Sequence, residues 1–208
     1  VIGGALGGFK GFLLDGITGS GKTEVYLALI RQALARGEGA LVLVPEIALT
    51  PQLVGRFRAR LGDQIAVQHS GLDPAARREQ WVRIASGELR VVIGARSALF
   101  APVINLGIIV VDEEHEPSYK QDVSLRYNAR DLALVRGHMV KAPVVLGSAT
   151  PSLESWANSQ KGKLEHVRLP ERVNARPLPQ VECVDLREAA MVGKGKGISS
   201  RLVDAIAE

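Results

Sequence analysis

The sequence predicts an α/β fold in which a mainly parallel sheet is covered by helices on both faces. Short runs rich in Val, Ile and Leu recur between turn residues, and helical patterns separate several of them. Such alternation favours right-handed crossover units, because parallel strands need a long connection between them. A glycine-rich loop also follows the first run. We therefore expect the functional loops along one edge of the sheet, at the carboxyl ends of the strands.

Six apolar runs are the predicted strands: residues 12–14, 40–44, 65–68, 91–93, 108–111 and 144–146. A helical pattern over 23–36 is stopped by Gly37. Asp73 and Pro74 form an N-cap and first-turn pair for a second helix, which ends near Gly87. Strand and helix therefore alternate along the first part of the chain.

The pattern changes after Trp156, where a proline-bearing stretch leads into different sequence. Beyond it lie a strand-like run at 181–185 and a Gly-Lys segment at 193–197. We expect a first lobe over residues 1–165, followed over 166–208 by a connector and the truncated start of a second lobe. The chain ends at Glu208 within a predicted helical pattern, so the rest of that second lobe is expected to be cut away.

Composition is that of an ordinary globular domain, with 208 residues, 46% hydrophobic and 23% charged. Apolar runs such as 108–111 are far shorter than the roughly 20 residues that span a bilayer, so we expect a cytoplasmic protein without a membrane partner. The net charge of +4 is compatible with a polyanionic partner but does not identify one. The single cysteine, Cys183, excludes an internal disulfide, and we expect a packed thiol there.

The glycine-rich loop has the spacing of a phosphate cradle: Gly, four residues, then Gly-Lys-Thr. It follows a predicted strand and opens a predicted helix, a context that a chance glycine turn would not have. Glycines let backbone N–H groups face phosphates, Lys22 would reach the β and γ phosphates, and Thr23 would bind Mg²⁺. The loop therefore predicts ATP and Mg²⁺ as cofactors, bound by Gly16, Thr18, Gly19, Ser20, Gly21, Lys22 and Thr23.

A pair of carboxylates follows the apolar run 108–111. Asp112 would join Thr23 in the Mg²⁺ shell, and Glu113 would orient or deprotonate the attacking water. Together with Lys22 they form the predicted catalytic set. Glu114 and Glu116 remain open as solvated loop acids, an interpretation that we favour for Glu116.

Six segments, in this order, resemble the motifs of superfamily 2 helicases. They are Gly-Ile-Thr-Gly-Ser-Gly-Lys-Thr-Glu-Val-Tyr (16–26), Pro-Glu-Ile-Ala-Leu-Thr-Pro-Gln (45–52), His-Ser-Gly (69–71), Gly-Ala-Arg-Ser-Ala-Leu-Phe (94–100), Asp-Glu-Glu-His (112–115) and Gly-Ser-Ala-Thr-Pro-Ser-Leu-Glu (147–154). The segments 119–121 and 126–131 narrow the resemblance to helicases of replication restart. It covers nearly the whole chain and implies a RecA-like P-loop NTPase lobe.

The resemblance implies that segments 45–52 and 94–100 line a track for the DNA backbone, and that segment 147–154 couples this track to the nucleotide. The residues expected to bind DNA or to couple are Pro45, Thr50, Arg96, Ser97, His115, Tyr127, Ser148 and Thr150. Arg96 and neighbouring hydroxyls would donate to phosphates without base specificity. Two alternatives stay open: Arg96 could bridge acids within the lobe, and Thr150 could cap the next helix.

Several family features fall outside this sequence or differ in it. The glutamine motif that reads adenine would precede Val1, and the arginines that reach the γ-phosphate and the zinc-binding cysteines belong to other regions of the family. An aromatic-rich loop senses DNA in these helicases. Here Leu125 stands where a tryptophan is expected, while Tyr119 and Tyr127 remain.

The sequence is thus interpreted as the ATP-binding lobe of an ATP-dependent 3′-to-5′ DNA helicase of replication restart. The 3′-to-5′ strand polarity, the restart role and the partners are implied by the resemblance alone. The implied partners are forked or single-stranded DNA, other primosome proteins and single-strand binding protein. The alternatives are another superfamily 2 translocase such as a fork-reversal helicase, a P-loop small-molecule kinase, and a nucleotide-binding module without turnover. We expect the isolated chain to be nearly inactive.

Overall fold

The computed structural model describes residues 1–123, 125–173, 181–187, 191–192 and 198–207. The chain divides into two units, Val1–Ala175 and Arg176–Glu208. The predicted Gly-Lys segment at 193–197 lies outside the described residues.

The first unit is built from alternating strands and helices. Its strands are β1 (Gly11–Gly16), β2 (Gly39–Leu43), β3 (Ile65–Gln68), β4 (Val91–Gly94), β5 (Leu106–Val111), β6 (Lys120–Gln121), β7 (Tyr127–Asn128), β8 (Val144–Ser148) and β9 (Glu165–Leu169). Its α-helices are α1 (Lys22–Ala35), α2 (Pro51–Leu61), α3 (Pro74–Ala85), α4 (Ala129–Val140) and α5 (Leu153–Gln160). Short 3₁₀ helices span Ile2–Ala5, Glu46–Ala48, Arg96–Phe100 and Pro117–Tyr119.

Seven of these strands form one sheet in the order β3-β4-β2-β5-β8-β1-β9, and every pair in it is parallel. Strands β6 and β7 form a small separate antiparallel pair. The predicted α/β class and all six predicted strands are confirmed. Because the strands are parallel, the loops after β1, β2, β4, β5 and β8 emerge at the same edge of the sheet.

The core has two layers, one on each face of the sheet, because successive side chains of a strand point to opposite faces. In β1, Leu13 belongs to one buried cluster and Phe12 to the other. The first cluster includes Ile84 of α3 and Ala133 of α4, whereas the second includes Tyr26 of α1 and Phe57 of α2. Helices α1 and α2 therefore cover one face, and α3 and α4 cover the other.

The start and end signals of α3 are those that the sequence predicts. Asp73 accepts hydrogen bonds from the backbone N–H groups of Ala75 and Ala76, at 2.9 and 3.0 Å, and Pro74 occupies the first turn. Gly87, two residues after the helix, has φ of 81°. This left-handed conformation favours glycine, which explains why the helix stops there.

Strand β9 was not predicted from the sequence. It pairs with β1 alone, at the edge of the sheet, and its residues alternate only weakly in polarity. An edge strand needs no continuous apolar run, and charged residues such as Arg168 keep the edge from pairing with other chains. The boundary predicted after residue 165 falls inside this strand, whose pairing belongs to the first unit.

In the second unit, the described elements are β10 (Met191–Val192) and β11 (Ile198–Ser199), which pair antiparallel, and α6 (Ser200–Ala207). The strand predicted at 181–185 is wrong: residues 181–187 are all exposed and form no strand, so neither strand pairing within the described part of the chain nor apolar burial holds them extended. Cys183 is also exposed, so the expected packed thiol is wrong. Among the helices described, none is long and apolar enough to cross a membrane.

Candidate functional site

The loop between β1 and α1 depends on glycine at two positions. Gly19 and Gly21 have φ of 82° and 89°, a region that L side chains rarely adopt. Gly21 is also the N-cap of α1 and supplies no side-chain acceptor. The first N–H groups of the helix therefore point into the loop, where an anion can accept from them.

The loop folds back closely on the end of β1. A Cβ at Gly16 would lie 2.5 Å from Ser20 Oγ and 3.2 Å from Lys22 Cγ, so only glycine permits this approach. Ser20 Oγ is buried and has no hydrogen-bond partner among the described residues. A buried hydroxyl without a partner is costly, and a phosphate oxygen would satisfy it. The residues of the loop therefore fit a bound phosphate chain.

Lys22 places its ammonium group between the loop and the acidic end of β5. Its Nζ donates to the Gly16 carbonyl at 2.8 Å and lies 3.8 Å from Glu113 Oε1. Thr23 follows in the first turn of α1, half-buried. The loop, the lysine and the acids thus share one cleft.

This cleft has a volume of about 720 Å³, within the usual range for small-molecule sites. Its lining includes residues 17–24, Asp112 and Glu113. It also includes Arg56, Arg60 and Val173, which the sequence analysis did not find. The two arginines are four residues apart in α2, but only the packing of α2 beside α1 brings them to the cleft. Arg60 there pairs with Glu24 at 3.5 Å.

The acids at the end of β5 are held in different ways. Asp112 Oδ1 accepts a hydrogen bond from the Tyr26 hydroxyl at 2.8 Å, and its backbone carbonyl accepts from Tyr119 at 2.7 Å. Burial raises the pKa of Asp112, and the hydrogen bond from Tyr26 and the charge of Lys22 oppose this increase. A carboxylate and the Thr23 hydroxyl are oxygen ligands of the kind that Mg²⁺ prefers.

Glu113 has a strained backbone, with φ of 45°. A left-handed conformation outside glycine costs on the order of 1–3 kcal/mol, and it occurs often at functional sites. Burial and the neighbouring Asp112 carboxylate both raise the pKa of Glu113. The side chain lines the cleft, with Oε1 3.8 Å from Lys22 Nζ, where it can act on a bound water.

Glu114 is not a solvated loop acid, and that alternative is wrong. Its side chain is fully buried. The carboxylate accepts from the Ser152 N–H and hydroxyl at 2.7 and 2.9 Å, from the Ser155 hydroxyl at 2.7 Å and from Arg130 at 3.4 Å. Ser152 is also the N-cap of α5, so Thr150 does not cap that helix. Glu114 therefore anchors the start of α5 to the end of β5.

A second polar link joins the end of β5 to the end of β8. His115 Nδ1 lies 2.7 Å from Ser148 Oγ and 3.7 Å from a Glu113 carboxylate oxygen. Ser148 Oγ also accepts from the Thr150 N–H at 2.9 Å. The structure thus brings the predicted residues His115, Ser148 and Thr150 together beside the acidic residues.

A groove of about 460 Å³ lies along the same edge of the sheet. Its lining residues are Val44, Glu46, Ser70, Ala95, Arg96, Ser97, Ser118, Tyr119, Gln121, Leu125 and Tyr127. Arg96 donates from one guanidinium nitrogen to the carbonyls of Ser118 and Lys120, at 3.1 and 2.6 Å. Its partners among the described residues are therefore backbone carbonyls rather than acids, and the other guanidinium nitrogens are still able to donate to a phosphate.

The other predicted contacts with DNA differ in exposure. Ser97 and Thr50 are exposed, although Thr50 Oγ also accepts from the Leu53 N–H as the cap of α2. The predicted contact of Pro45 with DNA is wrong. Pro45 is buried where β2 leads into the 3₁₀ helix, so its side chain cannot contact a DNA backbone.

The aromatic side chains near the groove also differ. Tyr119 is buried beneath Asp112 and offers no stacking surface. Tyr127 is half-buried and packs edge to face on the exposed ring of Phe100, with 5.3 Å between centroids. Leu125 is 70% exposed. Tyr127 therefore lines the groove as a partly exposed aromatic residue, and the exposed ring of Phe100 packs beside it.

Comparison with known proteins agrees with this geometry. The profile of the DEAD/DEAH box helicases matches residues 2–158. The chain belongs to the DEAD/DEAH box helicase family. Membership argues against the small-molecule kinase alternative, since it extends over both the cradle and segment 147–154.

Curated relatives of this helicase chain include three named Replication restart protein PriA. The protein from Bacillus subtilis is 52% identical over 199 residues, with 96% of this chain and 25% of the relative covered. Those from Synechocystis and Haemophilus influenzae are 47% and 51% identical, over 98% and 86% of this chain and 25% of each relative. The chain thus spans about a quarter of the length of these relatives.

Solved helicase structures share the fold. RecG bound to a three-way DNA junction superposes with a TM-score of 0.58 at 23% identity, over 80% of this chain and 21% of RecG. A hypothetical ATP-dependent RNA helicase from Sulfolobus tokodaii superposes with a TM-score of 0.56 at 22% identity, over 76% of this chain and 48% of that helicase. The RecA-like lobe predicted from the sequence is confirmed.

Proposed function

We propose that this chain is the first RecA-like lobe of an ATP-dependent DNA helicase that acts in replication restart. The observation that carries this proposal is the glycine loop, which lines the same cleft as Lys22 and the acids after β5 and whose Ser20 hydroxyl is buried without a partner among the described residues. The relatives named Replication restart protein PriA, at 47–52% identity, favour the restart role over the fork-reversal alternative, whereas the likeness to RecG at 23% identity supports the fold alone. The 3′-to-5′ polarity rests on resemblance.

In this proposal different residues of the cleft bind the phosphates, hold the metal ion and activate water. Lys22 and the N–H groups at the start of α1 bind the β and γ phosphates, and Thr23 and Asp112 hold Mg²⁺. When bound, the metal ion neutralises charge on the phosphate oxygens. Glu113 orients the attacking water and accepts its proton.

The edge of the sheet would carry the DNA. Ser97, Thr50 and the remaining donors of Arg96 contact phosphates, which positions the strand without reading its sequence. Hydrogen bonds link His115, Ser148 and Thr150 to one another, and His115 Nδ1 lies 3.7 Å from a Glu113 carboxylate oxygen. A change at the nucleotide thereby reaches the DNA groove. Forked or single-stranded DNA, primosome proteins and single-strand binding protein are the proposed partners.

The cradle is tested with Lys22→Ala in the full-length protein. Charge-assisted hydrogen bonds contribute about 1.5–3 kcal/mol, so Mg·ATP affinity should fall about 10- to 150-fold. A fluorescent-nucleotide titration measures this loss, and Lys161→Ala, an exposed lysine outside the cleft, should leave the affinity unchanged. Equal affinity in Lys22→Ala and the parent would overturn the assignment of the phosphate cradle.

The proposed stacking of a DNA base on Tyr127 is tested with Tyr127→Ala. Stacking of a base on an aromatic ring contributes about 1–3 kcal/mol, so the DNA concentration that half-stimulates the ATPase should rise about 5- to 150-fold, with basal turnover retained. Val123→Ala is the matched control, because Val123 is exposed near the same loop but does not line the groove. If Tyr127→Ala instead lowers the thermal midpoint and basal activity together, the tyrosine is a packing residue and the DNA contact is wrong.

A further inference from the structure

Tyr26 is a fully buried tyrosine one helical turn after Lys22 in α1, with 1% of its surface exposed. Its ring belongs to the core layer covered by α1 and α2, and its hydroxyl donates a hydrogen bond to Asp112 Oδ1 at 2.8 Å. The helix that begins at the phosphate loop is thereby joined directly to the carboxylate after β5.

The third element at this hydroxyl is β8. A Cβ at Gly147 would lie only 1.7 Å from the Tyr26 hydroxyl oxygen, so the strand must carry glycine for the hydroxyl to be there. Gly147 precedes Ser148, whose side chain contacts His115. The hydroxyl therefore lies where α1, β5 and β8 meet.

Packing alone does not account for this arrangement. A phenylalanine would fill the same layer of the core without introducing a buried hydroxyl, and it would not require that group to find a partner. The partner that Tyr26 does find is one oxygen of a carboxylate that points into the nucleotide cleft. A donor in this position fixes the rotation of the carboxylate.

We propose that Tyr26 is a positioning residue, which orients the Asp112 carboxylate toward the divalent cation that accompanies ATP. Its hydrogen bond engages one carboxylate oxygen and directs the other to the cation. This inference rests on the proposed Mg·ATP site. It adds a residue that contacts neither nucleotide nor metal and acts through Asp112.

The test is Tyr26→Phe in the full-length protein, with ATP affinity measured without DNA over a series of Mg²⁺ concentrations and in EDTA. The Mg²⁺ concentration that gives half of the gain in affinity should rise about tenfold, because a hydrogen bond to a charged group is lost. Affinity in EDTA and the thermal midpoint should stay near those of the parent. A purely structural hydroxyl would change the midpoint but not the Mg²⁺ requirement.

Tyr119→Phe is the matched control. Tyr119 is equally buried and also donates to Asp112, but to its backbone carbonyl, so its loss should leave the Mg²⁺ requirement unchanged. An unchanged Mg²⁺ requirement in Tyr26→Phe, or the same rise in both variants, would overturn the inference.

Two further variants, Gly147→Ala and Lys22→Ala, separate the role of Tyr26 from the nucleotide site itself. Gly147→Ala displaces the hydroxyl without removing it and should raise the Mg²⁺ requirement in the same direction; if Tyr26→Phe does not fold, this variant decides. Lys22→Ala serves as the reference for the site itself. If Lys22→Ala loses ATP affinity but Tyr26→Phe keeps the Mg²⁺ requirement of the parent, only the role of Tyr26 is rejected. If Lys22→Ala keeps the ATP affinity of the parent, the proposed nucleotide site itself is rejected.

Discussion

Glu113→Gln in the full-length protein is expected to lower ATP turnover by about 10²–10⁴-fold while Mg·ATP affinity changes little. Glutamine keeps the size of the side chain but cannot accept the proton of the attacking water. The backbone at φ 45° already directs this residue into the cleft beside Lys22, so the variant should keep the geometry and lose the base. Steady-state ATPase rates and a nucleotide titration measure the two effects separately.

Glu116→Gln is the appropriate control, because Glu116 lies on the same loop but does not line the nucleotide cleft. It should retain the parent's turnover. Near-normal hydrolysis in Glu113→Gln would contradict the assignment. The base could not then simply be Glu114, whose carboxylate is buried and already accepts from Ser152, Ser155 and Arg130.

The second large effect concerns the 208-residue chain by itself. We expect it to bind Mg·ATP weakly, with almost no DNA-stimulated hydrolysis and no unwinding, whereas a longer chain that includes the second lobe should turn over ATP about 10³–10⁵-fold faster. An arginine supplied from an opposing surface commonly contributes that factor. Unwinding also requires two lobes that move against each other, so that the two sets of DNA contacts shift.

The measurement compares ATPase rates of the two chains with and without single-stranded DNA. Two arginines of this lobe, Arg56 and Arg60, do line the cleft, but Arg60 pairs with Glu24 at the start of α1. Strong DNA-stimulated turnover in the short chain would show that the catalytic unit is complete within it. In that case Arg56→Ala and Arg60→Ala would identify the arginine responsible.

Local sequence was sufficient for the conformation of the glycine loop, because its strand, its glycines and its helix are contiguous. It was insufficient for contacts that depend on the order of the strands. Tyr26 and Asp112 meet only because α1 packs across the sheet, and two partners of Glu114, Ser152 and Ser155, lie at the start of α5, 38 and 41 positions away. Strand β9 was missed because an edge strand lacks a continuous apolar run. The run at 181–185 was predicted as a strand, although it pairs with no strand among the residues that the structure describes.

The position of β1 in the sheet also determines when the lobe can form during synthesis. Within this sheet β1 is made first, yet its two neighbours, β8 and β9, are the last strands of the sheet to leave the ribosome. At translation rates of about 5–20 residues per second, the apolar residues of β1 wait about 6–30 seconds for their partners. Pairings of such high sequence separation form late and leave apolar surface exposed to aggregation meanwhile. The glycine loop therefore has no paired strand at its base until β8 has been made, so in the proposed function a nucleotide cannot assist the earliest stages of folding.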